Sequence, residues 1–180
     1  ADDIIGTVAR EAEELDIEPL IITGDRDALQ LASHKTSVLI TRKGITDFDL
    51  FDYDKMMETY QLTPTQFIDL KGLMGDKSDN IPGIPGVGEK TAGKLLEQFG
   101  SIENMLANTG ELKGALKTKV EENKEKILFS KFLATIKTDV PIELDMQALK
   151  REQPNEEELS RLFAFYELRA LKERVMKNQQ

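Results

Sequence analysis

The chain has 180 residues, enough for one domain or one and a half, with a net charge of −9 and no cysteine. The lack of cysteine excludes disulfides and thiolate zinc sites and fits a reducing compartment. No run of eighteen apolar residues and no signal peptide is legible, so nothing is predicted to span a membrane. The charge is unevenly spread: residues 1–60 carry fourteen acids against six bases, residues 71–131 ten lysines against nine acids. Clustered carboxylates repel one another unless a cation lies among them. The acidic part therefore suggests metal ions, and the more basic part can face phosphates.

In chain order, Ile4, Ile5, Val8, Ala12 and Leu15 recur at helical spacing and predict a helix over residues 1–16. The apolar run 18–23 reads as a buried strand and Gly24-Asp25-Arg26-Asp27 as the loop at its C-terminal end. A short helix is predicted at 28–32, a strand at 37–41, and a turn at Lys43-Gly44 into a possible hairpin partner over 45–48. This alternation is the rhythm of an α/β sheet. Beyond residue 50 the pattern turns helical. A helix is predicted at 52–60, and Thr63-Pro64-Thr65-Gln66 is a capping box opening another that runs to about Met74. Further helices are predicted at 89–99, ended by Gly100, and from Ser101 through Ala107, while 111–126 reads as helical or partly mobile. An apolar helix is expected over 127–136 and an extended link over 140–148. One last helix, capped by Asn155, presents Leu159, Leu162, Phe163, Tyr166 and Ala170 on one face.

The most informative stretch is GDKSDNIPGIPGVGEKTAGKLL, residues 75–96. Its residues 84–88 read as a hairpin in which Gly86 and Gly88 permit positive φ and close approach of a ligand to the backbone. Thr91 falls in the first turn of the following helix, whose free N–H groups and dipole attract phosphate. Lys90 and Lys94, four apart, add positive charge to one face. None of these contacts reads a base, so duplex binding is expected to ignore sequence. Three carboxylate pairs accompany the hairpin: Asp2 with Asp3, Asp25 with Asp27, and Asp76 with Asp79. Hard divalent cations take such oxygen ligands, and two of them can activate water for phosphodiester cleavage. Each pair also has a bland reading, as a helix start, a cap at Ala28 or a turn. The lone His34 reads as a surface residue, and with no cysteine a thiol mechanism or a serine triad has little support.

The strings ADDIIGT, TGDRDALQL and GLMGDKSDNIPGIPGVGEKTAGKLL resemble the 5′ nuclease domains of bacterial DNA polymerase I, within the flap endonuclease superfamily. The likeness runs over nearly the whole chain and weakens after about residue 110. It implies an α/β fold, the second half of a PIN-like parallel-sheet nuclease core over 1–62. An all-helical region over 63–180 would follow, with a helix-hairpin-helix at 64–99. It implies Mg²⁺- or Mn²⁺-dependent cleavage of DNA 5′ flaps and 5′ ends in primer removal and repair, in a bacterial cytoplasm. Asp2, Asp3, Asp25, Asp27, Asp76 and Asp79 match the family's metal-site carboxylates in a two-metal site. Gly86, Val87, Gly88, Lys90 and Thr91 match its duplex-gripping hairpin, to which the residue reading adds Lys94. Gly83 stands where some relatives carry a serine that helps bind a monovalent cation, so a K⁺ ion here would depend on carbonyls such as those of Ile84 and Val87. The chain starts inside the family's carboxylate motif. By the resemblance it is expected to lack three upstream ligands, the first strands and a basic arch, and so to bind metal without efficient turnover by itself. The competing readings are a non-catalytic duplex-binding module and a PIN-type ribonuclease; the hairpin disfavours the latter.

Overall fold

Side-chain caps at Asp52, Thr63, Ser101 and Asn155 open helices in the computed structural model, which describes residues 1–43 and 47–177. The chain forms two compact units, residues 1–142 and 143–180. The first unit opens with α1 (Asp2–Glu14), followed by β1 (Leu20–Thr23), a 3-10 turn (Arg26–Leu31), β2 (Ser37–Lys43) and β3 (Asp47–Phe51). β1 and β2 pair in parallel and β3 closes the sheet antiparallel to β2, in the order β1-β2-β3. Of the anticipated hairpin, residues 44–46 lie outside the described residues, and the strand runs over Asp47–Phe51 rather than 45–48.

The run 18–23 was expected to form a buried strand, yet only alternate residues are buried: Ile21 is 7% exposed while Ile22 is 65% exposed. Side chains alternate across a strand, and one face alone is packed here. Ile21, Val38, Ile40 and Phe51 join Ala9, Leu29 and Met56 in the sheet core, while Leu20, Ile22, Phe48 and Leu50 face out.

The helices that follow are α2 (Tyr53–Tyr60), α3 (Pro64–Met74), α4 (Glu89–Phe99), α5 (Ile102–Ala107), α6 (Gly114–Glu122) and α7 (Lys124–Ala134). Asp52, Thr63 and Ser101 accept from backbone N–H groups as N-caps, and the Thr63–Gln66 capping box is formed in both directions. α7 starts and stops earlier than its apolar pattern suggests, because the chain beyond it is captured by α1. Asp3 Oδ1 accepts from Lys137 N at 2.8 Å, Thr7 Oγ1 accepts from Val140 N at 3.1 Å, and Arg10 Nε donates to Thr138 O at 2.7 Å. Residues 137–140, which lead into the expected link, are therefore a docked strap.

A second core, under the hairpin, gathers Leu73, Ile84, Val87, Ala92, Leu95, Leu96, Phe99, Ile102, Val120 and Ile127. Tyr60 and Phe67, with ring centroids 5.5 Å apart, pack against both cores and join sheet to helices. In the second unit the expected single helix is two, α8 (Glu156–Phe165) and α9 (Arg169–Lys177). Glu167, at φ +55°, breaks it. Among the described residues no helix is long and apolar enough to cross a membrane.

Candidate active site and nucleic-acid interface

The Asp25–Asp27 loop lies at the C-terminal end of β1, as its sequence position suggests. Asp25, rather than Asp27, caps the turn: its Oδ1 accepts from Asp27 N at 2.9 Å, and its own N–H donates to Thr23 Oγ1 at 3.0 Å. Asp27 is thereby free to turn toward α3. The other loop, residues 75–81, is closed by reciprocal backbone bonds between Asp76 and Ile81 of 2.9 and 2.8 Å. Inside it Asp76 Oδ1 accepts from Ser78 N at 2.7 Å and from the Ser78 hydroxyl.

The two loops meet at Lys71, a residue that none of the sequence motifs marks. Its Nζ lies 3.2 Å from Asp76 and 2.8 Å from Asp79 and also pairs with Asp27, and its side chain is only 8% exposed. Burial opposes its charge, but hydrogen bonds to Asp27, Asp79 and Asp76 prevail and raise its pKa above that of an ordinary lysine. Asp76 is held down to about 2, first by the Ser78 hydroxyl and then by Lys71 against the cost of burial. Asp27 moves the other way, because its burial outweighs Lys71. One signal could have found Lys71. α3 is buried over five successive residues, Asp69 to Leu73, and a lysine inside such a run needs a partner. The neighbouring Asp69 has its own, Lys131 Nζ at 2.7 Å, which ties α3 to α7.

Asp2, Asp3, Asp25, Asp27 and Asp79 line one cleft of about 220 Å³, beside Ile81 and residues 133–136. Asp76 lies across Lys71, in a neighbouring hollow of about 260 Å³ that shares Asp27 and adds Arg26, Tyr60 and Phe67. Among the described residues no three such side chains are spaced to hold a metal ion as they stand. Asp27, Asp76 and Asp79 converge instead on the Lys71 ammonium. The donor chemistry, hard oxygens gathered about a positive charge, fits a divalent cation. His34 is exposed and rests its ring against Tyr53, centroids 4.4 Å apart, away from this site's residues.

The hairpin follows directly. Gly83, at φ +59°, abuts Gly75 so closely that a Cβ would lie 2.3 Å from the Gly75 nitrogen, so no serine fits there. Ile84 N donates to Leu73 O at 2.8 Å, pinning the hairpin to α3. Val87 N donates to Ile84 O at 3.0 Å across Pro85 and Gly86, and Gly86 has φ +79°, the pattern of a type II turn. The positive φ expected of Gly88 is not found: its φ is −104°, an extended N-cap conformation open to any residue, and no atom lies within 4 Å of a built Cβ. What Gly88 leaves is open space before the first turn of α4. Val87 is buried in the hairpin core, so only its backbone can meet a ligand. Lys90 and Lys94 are exposed and share one hollow with Gly93 and Gln66, and Thr91 and Lys94 share another with Lys113.

Residues 1–61 match the family described as 5′-3′ exonuclease, N-terminal resolvase-like domain, and residues 62–157 match the 5′-3′ exonuclease, C-terminal SAM fold. DNA polymerase I of Bacillus subtilis is 52% identical over 176 residues, 97% of this chain and 20% of that protein. DNA polymerase I of Bacillus caldotenax is 52% identical over 164 residues, 91% of this chain and 19% of that protein. The chain thus spans about a fifth of the length of these relatives. Among solved structures, a zinc-bound T5 5′-exonuclease superposes with a TM-score of 0.66 at 24% identity, over 76% of this chain and 50% of that one. The catalytic core of Rad2 with a DNA substrate superposes at 0.59 and 18% identity, over 88% and 54%. The fold is that of these nucleases, and by its sequence the chain belongs to the 5′-3′ exonuclease family.

Proposed function

We propose that this chain serves as part of a divalent-metal-dependent 5′→3′ exonuclease and 5′ flap endonuclease of a DNA polymerase I. It would act on duplex DNA with a 5′ flap or 5′ end during primer removal and repair in a bacterial cytoplasm. The observation that carries the reading is the sharing of α3. Its C-terminal turn supplies Lys71 and leads into Asp76 and Asp79, and its Leu73 carbonyl pins the hairpin. Chemistry and grip are therefore built on one rigid element, which fixes the distance between a held duplex and the carboxylate cleft.

In this reading Asp25, Asp27, Asp76 and Asp79 hold the metal, with Asp2 and Asp3 on the same cleft. Mg²⁺ or Mn²⁺ is the proposed ion, and it would supply an activated water and neutralise the leaving oxygen. Lys71 keeps Asp27, Asp76 and Asp79 gathered by compensating their charge. The backbone N–H groups of Gly86 and of Gly88 to Thr91, with Lys90 and Lys94, hold phosphates without reading bases. A K⁺ ion at the hairpin would use the second lone pair of the Ile84 carbonyl, whose first accepts from Val87.

The test is calorimetric titration of the chain with Mn²⁺, paired with cleavage of flap DNA, single-stranded DNA and RNA. Divalent-ion binding that falls sharply in Asp27→Asn, with any cleavage confined to the flap DNA, is expected. A chain that binds duplex but no divalent ion would overturn the metal reading and favour a non-catalytic duplex-binding module.

A further inference from the structure

The hairpin turn is held by more than its own sequence. Proline at the second position and glycine at the third favour a type II turn, but glycine also tolerates the type I geometry, which differs by a flip of the peptide between them. In this chain Gly86 has φ +79°, so the Pro85–Gly86 peptide is in the flipped, type II orientation. A contact from a distant helix holds it there. Lys119, exposed in the last turn of α6, donates from Nζ to Pro85 O at 2.9 Å. A Cβ built on Gly86 would stand 3.1 Å from that ammonium, so the lysine lies against the corner itself. In a trans peptide the C=O and N–H point opposite ways. An ammonium on the Pro85 carbonyl therefore aims the Gly86 N–H away from α6. A flip to type I would leave the carbonyl without its donor and turn the N–H back toward Lys119.

We propose that Lys119 is a positioning residue for duplex recognition: it locks the Pro85–Gly86 peptide so that the Gly86 N–H is presented to a backbone phosphate. This rests on the hairpin reading above and names a part of it that neither the hairpin motif nor its lysines contain. The interaction is a hydrogen bond from a charged donor, of the kind whose loss changes an equilibrium about tenfold.

Anisotropy titrations of two duplexes of unrelated sequence, at several salt concentrations, test it. Lys119→Met is expected to weaken binding to both about tenfold with an unchanged slope of log K against log salt, and Lys119→Arg to restore most of the affinity. In the free protein, NMR relaxation dispersion should show exchange at the Gly86 and Val87 amides of Lys119→Met that is absent from the parent. Undiminished affinity in Lys119→Met would overturn the proposal. So would a loss accompanied by a slope smaller by about 0.9, the signature of a lysine that itself neutralises one phosphate. The double variant Lys90→Ala, Lys94→Ala separates the two levels. If it binds like the parent, the hairpin reading has failed; if it binds weakly while Lys119→Met does not, only the role of Lys119 has.

Discussion

The loop of residues 75–81 and the hairpin of residues 84–88 follow one another off α3, and they are held in different ways. In the first, three acids from two loops are gathered by one buried ammonium, and the pKa values of Asp27 and Asp76 move in opposite senses around it. In the second the shape is fixed by backbone. Gly83 is wedged against Gly75, Gly86 sits at positive φ, and amides of Ile84 and Val87 find carbonyl partners. A region held by counter-charge can exchange one cation for another, whereas the hairpin is set mainly by backbone contacts, with the Pro85–Gly86 peptide alone held by a lysine. In the proposed function the first would be the metal site and the second the phosphate grip.

The comparison breaks most readily at Gly83. Gly83→Ala adds a left-handed strain to a Cβ 2.3 Å from the Gly75 nitrogen, and unfolding in urea should show a loss of about 4 kcal/mol. A variant as stable as the parent would mean that backbone packing does not hold this junction. Next in size is Lys71→Met. Removing the buried partner of three acids should cost about 3 kcal/mol, and millimolar Mg²⁺ should recover part of it if the acids accept one cation for another. Recovery by Mg²⁺ no larger than in the parent would show that the ammonium site and the metal site are separate.

A smaller effect sharpens the hairpin side. Gly86→Ala is expected to cost about 1–2 kcal/mol, since its φ of +79° strains any side chain, and Gly88→Ala less than about 0.5 kcal/mol. Equal costs at the two positions would contradict the turn geometry. The smallest effect lies in the titrations, read by carboxyl carbon NMR. Asp76 should titrate near 2, so its contribution to stability is complete above the ordinary value of 3.8 and is lost as pH falls from there through about 2. Asp27, raised above 3.8, contributes in the opposite sense: its share is present below that value and fades as pH rises through its folded-state pKa. For Lys71 the share is full below 10.5 and is lost as pH rises from there through its raised pKa. Coincident midpoints for Asp27 and Asp76 would remove the electrostatic half of the comparison.

Much of this was legible before any coordinates. Caps are local, so Thr63 with Gln66, Asp52, Ser101 and Asn155 announce helix starts through bonds spanning three residues. Family motifs single out Asp25, Asp27, Asp76 and Asp79 as candidates, and Gly100 marks the end of α4. The failures have a common physical cause, which is dependence on something far away in the chain. Whether a strand is buried on one face or two depends on what covers it, and Leu20 and Ile22 look the same in sequence either way. The end of α7 depends on the hold of α1 on residues 137–140. The break at Glu167 sits inside a sequence whose helical pattern continues across it.

The sequence by itself determined the kinds of groups present: oxygen donors in pairs, a glycine turn before a lysine-bearing helix, and caps that start the helices around them. These follow from residue type and short spacing, where backbone geometry leaves little choice. Only the tertiary structure decided how the groups are matched: that Lys71 faces Asp27, 44 residues away, that Lys119 reaches Pro85 across 34, and that Gly83 and Gly75 touch. Such matches depend on which helix faces cross, and helix crossing is set by the packing of apolar side chains that carry no mark of their charged neighbours' partners.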